Sequence, residues 1–462
     1  MNPKKNKRNL WEEGVDTTNY QLHVTISTIG STTESEEIDD KIVYMEDLEK
    51  RKQAYGICGE CNEPGTGYKW CQPCNAKRFK DNFKNWTSGN KDIDEFIQQS
   101  QLNAVYYGKY LEWIPFENFK DITYITRGGF GKIYSAEWPE GSISFWDIEN
   151  QKWKRYSRKV ALKSLDNSSC ISTEFLNEIK THLQIYLYNV IRCYGITQDP
   201  NTKDYMMVLE YCGYGNLRNY YLNKESDYYT KINKLQQIAR GLLDIHNTGM
   251  CQPANNEKQS VKQEGIYGVL PYMAPEVLRG YQYTKASDIY SFGIMMNEYI
   301  SEETPYNNIP HNHALSIKIC KGLRPNIFKY TPKLLADLIT KCWDAKAENR
   351  PTAKELYQEL KKFYDDDDSD TESQVKEDSD IESQVKEYND KIKLNRTSEK
   401  RTSNIQTHPQ AIYTSRLLNF KNLPEPVNSD ATKTTLRSEC FDCQLDELDL
   451  NESDQDEENN TE

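Results

Sequence analysis

ARGLLDIHNTGM, residues 239–250, runs without a break into CQPANNEKQSVKQEGIYGVLPYMAPE, residues 251–276. The first half carries Ile238, Leu242, Leu243 and Ile245 at helical spacing and predicts the end of an amphipathic helix. After Met250 the chain passes at once into a polar run, Cys251 to Glu264, and the stretch closes on Tyr272-Met273-Ala274-Pro275-Glu276. Whether these two halves belong to one domain decides the fold, and the flanks on either side of the join settle it.

Upstream, from about Phe119, strand-like runs succeed one another: ITYI, KIYSAEW, KVALKSL and YMMVLEY. After Tyr211 the period changes to that of helices, in INKLQQIARGLLDIH, ASDIYSFGIMMNEYI, KLLADLITKCW and AKELYQELKKF, ending near Phe363. Strands first and helices afterwards predict an α+β domain over 119–363, with a small sheet-rich lobe and a larger helical lobe.

The first chemical constellation is Ile125-Thr126-Arg127-Gly128-Gly129-Phe130-Gly131-Lys132-Ile133. Backbone amides approach a phosphate closely only where side chains are absent, so glycines between two strands can form a phosphate lid. Alone, such a hairpin is usually just a turn. Its weight comes from the residues downstream and their order: Val160-Ala161-Leu162-Lys163, then Glu178 within the helical stretch EFLNEIKTH. A lysine on a buried strand needs a counter-charge, a glutamate on a neighbouring helix can supply it, and the pair can hold the α- and β-phosphates of ATP. Either residue alone would be an ordinary surface charge.

With these residues in order, 119–363 resembles a protein kinase domain of the tyrosine-kinase-like group. The whole chain, with its cysteine pairs and the Leu-Pro-Glu-Pro segment of its tail, is similar to the expanded kinase-like families of fungi. The resemblance implies a two-lobed fold with ATP between the lobes. It maps Ile125, Ile133 and Ala161 onto the adenine pocket, Leu209 onto the gatekeeper and Glu210-Tyr211-Cys212 onto the hinge. It makes Ala274-Pro275-Glu276 the close of the activation segment, Glu276 and Arg350 a buried ion pair, and Asp288 the brace of the catalytic loop. Cys342-Trp343 fits the same group.

Several residues depart from that pattern. Thr126 replaces the first lid glycine, the insert SISFWDIENQKWKRYSRK lengthens the hairpin before Lys163 as a surface excursion, and Val269 stands where many serine/threonine kinases carry Thr. The large departure lies at Met250–Cys251: the chain has no His-Arg-Asp-like triplet followed by Asn, and no Asp-Phe-Gly. The missing residues would orient the substrate hydroxyl and hold magnesium. Asp244, Glu257 and Glu264 are poor substitutes, expected as solvated side chains, so the sequence assigns no catalytic residue. Nothing degenerate stands beside the join, and point mutation rarely leaves so clean a cut.

The second constellation is Cys58-Gly-Glu-Cys61 with Cys71-Gln-Pro-Cys74. Two C-x-x-C knuckles returned to each other by a short spacer suit one tetrahedral ion, and four thiolates leave no open position, so the expected metal is a structural zinc. Redox dithiols and unliganded thiols are the competing readings. The predicted organisation is a disordered arm (1–50), a four-cysteine zinc-ribbon-like module (51–90), a helical linker (91–118), the kinase-like domain (119–363), an acidic disordered linker (364–407) and a tail (408–462). In 91–118, Ser88 or Asn90 is the candidate cap of a helix facing inward through Ile93, Phe96 and Ile97. The linker contains a tandem duplication, DSDTESQVKE (368–377) and DSDIESQVKE (378–387), too polar to bury a core. In the tail, HPQAIYTSRLLNFKNLPEP (408–426) reads either as a docking peptide or as a segment packed on the domain.

The 462 residues are 37% apolar, with a net charge of −13 from 71 acidic and 58 basic residues and a mean hydropathy of −0.86. Such acidity argues against nonspecific binding to nucleic acid or anionic membranes, and no run reaches the roughly 18 apolar residues of a membrane helix. The basic N-terminus lacks the apolar region of a secretory signal. Of 12 cysteines, four are tightly paired, two lie near the C-terminus and the rest are scattered in apolar contexts. That pattern suits a reducing compartment and a metal site better than a disulfide framework, so a cytoplasmic or nuclear protein is expected. Three functions remain open: a pseudokinase that binds ATP and protein partners, an active serine/threonine-type kinase whose written sequence omits an internal exon, and a zinc-ribbon nucleic-acid binder, disfavoured by the acidity.

Overall fold

β-branched and aromatic residues alternating along the first strand-like runs build one sheet. A computed structural model describes residues 20–25, 42–128, 131–164, 191–247, 265–363, 374–397 and 407–428. Antiparallel β2 (Lys120–Gly128), β3 (Gly131–Asp147), β4 (Lys152–Ser164), β6 (Tyr205–Glu210) and β5 (Cys193–Gln198) lie in the order β5-β6-β4-β3-β2, and short β1 (Glu112–Trp113) adds parallel to β5. Val160 and Leu162 of β4, Ala136 and Trp138 of β3 and Met206 and Val208 of β6 share one buried face, closed by Ile114, Phe119 and Tyr194. With a side-chain period of two, Ala161 and Lys163 fall on the other face.

On that other face Ile196 and Met207 are covered by Ile93 and Ile97 of α3 (Lys91–Leu102), with Phe96 half-buried beside them. Asn90 caps α3, its side chain accepting from the amides of Asp92 and Ile93, while Ser88 donates to Asp94. The expected linker at 91–118 is thus an integral layer of the small lobe, because two isoleucines four residues apart bury completely there, each worth about 1.5–3 kcal/mol.

The cysteine module contains α1 (Leu48–Tyr55) and α2 (Gln72–Asn82). The expected arm to residue 50 needs correction at 20–25 and 42–50. Val24 and Val43 are fully buried against Ala54, Tyr55 and Val105, and His23 bridges Gly67 while Thr25 bridges Tyr44. The β3–β4 insert is no surface excursion either. Its Ile143 and Trp153 pack on Trp70, Phe79 and Tyr110 of the module and its neighbouring loop, Trp153 lying 5.0 Å from Phe79 and 6.0 Å from Trp70, centroid to centroid. The insert therefore clasps the module to the sheet.

The large lobe is built on α7 (Lys285–Ser301), apolar nearly all round and so buried nearly all round. Thr284 and Ser287 form its capping box. Around it stand α4 (Leu217–Asn223), α5 (Tyr228–Asn247), α6 (Pro275–Leu278), α8 (His313–Cys320), α9 (Lys333–Cys342) and α10 (Ala353–Lys362). The expected disordered linker is a helix over part of its length, α11 (Gln374–Thr397). Val385, Tyr388 and Ile392 enter the large-lobe core. The Tyr388 hydroxyl donates to Ile300 O (2.7 Å) and accepts from buried Lys231 (3.0 Å), while Lys231 and Arg396 share Glu302. Polarity averaged over the segment conceals these few apolar residues on one face. The tail segment packs on the same lobe: β8 (Arg416–Leu418) pairs antiparallel with β7 (Ile266–Gly268). No helix among the described residues is long and apolar enough to cross a membrane.

Candidate nucleotide site and four-cysteine cluster

The β2–β3 hairpin closes at Gly128 opposite Gly131, whose φ of 156° is open to glycine and costly for other residues. A register shift between Tyr124 and Thr126 leaves exposed Ile125 in a bulge. Across the sheet Lys163 stands between Ile133 and Met207, and Ala161 between Ser135 and Leu209. Ile133, Ala161, Lys163 and Leu209 are thereby brought together on one face, all half-buried. β6 ends at Glu210, opposite Val160; Glu210 and Cys212 are exposed, and burial together with Glu210 pushes the Cys212 thiol up. Gly129, Phe130 and Glu178 lie outside the described residues, as do Glu257 and Glu264.

In the large lobe Arg350 is fully buried at its side chain and grips Glu276 through both guanidinium nitrogens, Nη1 to Oε1 at 2.7 Å and Nη2 to Oε2 at 2.9 Å. The same guanidinium donates to the carbonyls of Asp344 and Ala286. Asp288 accepts from His246 Nε2 at 3.0 Å, so the last turn of α5 is tied to α7. That histidine carries no sequence signal, being one residue at a helix end. Equally silent is the cluster in which Arg218 and the hydroxyls of Tyr221 and Tyr272 all donate to Glu298. Asp244 pairs with Arg240 one turn away (3.3 Å), and burial outweighs that arginine to raise its carboxyl.

Between α5 and α7, Ile238, Leu242, Ile245, Tyr272, Phe292 and Met295 line an open cavity of 410 Å³, with Asp288 and Ser291 at its edge. Ile232, Leu235 and Ala239 of α5 are buried in the core, so among the described residues this cavity lies against only the last turns of the helix.

The cysteine cluster forms as the spacing predicts. All four Sγ atoms lie within 4.8 Å of one another, with Cys58–Cys74 at 3.9 Å and Cys61–Cys71 at 3.6 Å. Asn62, at φ 61°, lets the first knuckle turn, its amide donating to Cys58 O. Cys71 and Pro73 open α2, which sets the second knuckle at a helix N-terminus. A hydrogen bond from Cys71 draws the Cys58 thiol down to about 5. That thiolate and burial push Cys71 up, while burial and then the Cys58 charge push Cys74 to about 12. Four thiolates this close ionise together only around a cation. Sulfurs 2.3 Å from a tetrahedral zinc stand about 3.8 Å apart, as these pairs do, so the residues present can hold such an ion.

Comparison with known proteins agrees with the geometry. The sequence matches the family described as protein tyrosine and serine/threonine kinase in two segments, residues 119–248 and 240–360, together just over half of the chain. It is 36% identical over 145 residues to a probable serine/threonine-protein kinase of Dictyostelium discoideum, covering 31% of this chain and 9% of that protein. It is 29% identical over 267 residues to a probable LIM domain-containing serine/threonine-protein kinase of the same organism (52% and 38%). To mitogen-activated protein kinase kinase kinase 7 of Drosophila melanogaster it is 24% identical over 265 residues (51% and 36%). The chain spans less than two fifths of the length of each. Sheet, helical lobe, Glu276–Arg350 anchor and family match point the same way: the chain belongs to the protein tyrosine and serine/threonine kinase family, in its tyrosine-kinase-like group.

Proposed function

We propose that this chain is a signalling protein whose kinase domain holds ATP between its lobes and, as written, transfers no phosphate. The observation that carries this reading is Lys163, set in register beside Ile133 and Ala161 on the lid-facing strands, in a chain that contains neither His-Arg-Asp nor Asp-Phe-Gly. Lys163, paired with Glu178, would take the α- and β-phosphates; Gly128, Gly129, Phe130 and Gly131 would cover them; Ile125, Ile133 and Ala161 would hold the adenine against the Glu210–Cys212 hinge. Without the catalytic aspartate and the magnesium ligands, the γ-phosphate is neither neutralised nor aligned with an acceptor hydroxyl. The chain would then act by docking protein partners inside the cell, with one structural zinc on Cys58, Cys61, Cys71 and Cys74 holding its N-terminal module together. At 100 times its Kd, ATP would stabilise the fold by about 2.7 kcal/mol. The Tm should rise with ATP, and this rise should vanish in Lys163→Met; an unaltered chain whose Tm ignores ATP would sink the reading.

A second reading has its own support. The open apolar cavity between α5 and α7 lies beside the last turns of the helix that leads to the join, and the family match comes in two segments that overlap at 240–248, just before it. Both favour an active kinase, of serine/threonine type as the names of its relatives suggest, whose written sequence omits the catalytic block. Sequencing the mature transcript across codons 245–256 separates the two. An uninterrupted message lacking the block rules out the omission; a message that encodes it restores an enzyme.

A further inference from the structure

The tail segment lies across the face of the large lobe that leads into Ala274-Pro275-Glu276, and Arg416–Leu418 lie there as a strand. Arg416, Leu417 and Leu418 pair with Gly268, Tyr267 and Ile266. Three side chains key this strap into the lobe. The Tyr413 ring stands over Arg218 (4.6 Å) and edge-on to His311 (4.8 Å), and its hydroxyl donates to Pro305 O at 2.8 Å. Arg416 donates to His311 O. Leu418 is 4% exposed within the large-lobe core. Backbone bonds running from His408 to Asn307 O, and from His311 to Gln410 O, continue the same seating.

Phe420 and Leu423 add packing on the core, and Val427 N donates to Cys320 O, but other parts of the attachment are weak. A three-residue two-stranded ladder is marginal by itself. The Arg279–Glu425 pair has Glu425 79% exposed and contributes little. Beside the ladder, a cavity of 680 Å³ is lined by Leu278 and Arg279 on one side and Phe420 and Leu423 of the strap on the other. The strap is also tethered: only residues 398–406 join it to α11, whose Tyr388 and Ile392 are anchored in the core.

We propose that residues 407–428 are a displaceable strand in cis, occupying a peptide-docking edge on β7, and that the edge accepts an extended segment of a partner protein with the pattern Tyr-x-x-Arg-x-Leu. Strand addition supplies affinity through backbone bonds, and the pockets for Tyr413, Arg416 and Leu418 supply the choice of sequence. The tether sets the threshold. A short connection holds the strap at an effective concentration of order mM, so a partner displaces it only with a better match or a high local concentration. The inference concerns docking alone and holds whether or not the domain transfers phosphate.

The test uses the full chain and a fluorescein-labelled synthetic peptide of residues 407–428. The unaltered chain should bind it at least about tenfold more weakly than a Tyr413→Ala/Leu418→Asp chain whose strap is loosened. A peptide carrying the same two changes should bind neither. The proposal is overturned if the loosened, cooperatively melting chain ignores the peptide, or if both chains bind it equally. If the double variant fails to fold, hydrogen exchange of the unaltered chain decides. The β7 and β8 amides should exchange together, about tenfold or more ahead of those in α7. Exchange of β7 and β8 only in step with α7 contradicts the proposal.

Discussion

Arg350 and Glu276, 74 residues apart, meet in a two-point fork of 2.7 and 2.9 Å, with the arginine side chain wholly excluded from solvent. The anchor ties the Ala-Pro-Glu segment to the last helices of the domain, while the join itself is spanned by His246 on Asp288. Removing one partner strands the other. Arg350→Ala should cost about 3 kcal/mol; Arg350→Lys, which keeps the charge but loses the fork, should cost roughly 1–2 kcal/mol. Urea unfolding of the two variants checks the order.

Trp153 belongs to the kinase sheet and Trp70 to the cysteine module, yet their rings lie 6.0 Å apart. Trp153 is half-buried, so Trp153→Ala should lose less than a core tryptophan, about 2 kcal/mol. With the Trp70 and Phe79 ring contacts gone, Tyr110 to Ile143 O (3.1 Å) remains as part of the clasp, and the loss should appear as earlier release of the module. Protease cleavage near residues 84–90 should quicken while the large lobe stays resistant.

The two copies of the tandem repeat should differ in consequence. The second copy leads into Tyr388 and Ile392; ten residues earlier stand Asp378 and Glu382. Tyr388→Ala should cost about 3 kcal/mol by removing a fully buried ring from contact with Tyr228 and Phe328 and by depriving Lys231 of an acceptor. Deleting residues 368–377 should change stability by less than about 0.5 kcal/mol. Thermal melts of the two variants test the contrast.

Metal content offers an independent check on the module. One equivalent of zinc per chain is expected. Its removal by a strong chelator should loosen residues 56–74 and shift the fluorescence of Trp70, which is buried beside the cluster. A purified chain without zinc, folding unchanged in chelator, contradicts the zinc assignment.

What the sequence discloses here depends on how each signal is written. The Ala-Pro-Glu triplet and the Val-Ala-Leu-Lys run are each short contiguous strings, and α7 is apolar for most of its length, so these are legible. The docking of α11 is not: Ile381, Val385, Tyr388 and Ile392 do keep helical spacing, but they are four residues in a strongly charged run. The clasp of Trp153 on Trp70 and the tie of His246 to Asp288 join residues far apart in the chain, and no local pattern announces either. Segment 408–426 shows its apolarity but not its address, because β8 has meaning only beside β7.

The central claim is an ATP-holding kinase domain whose reacting half is absent from this sequence. The most direct measurement is transfer of labelled γ-phosphate from ATP by the purified 462-residue chain, with magnesium, to itself and to a general protein substrate. The account predicts incorporation no higher than in Lys163→Met. Magnesium-dependent incorporation abolished by Lys163→Met would contradict it.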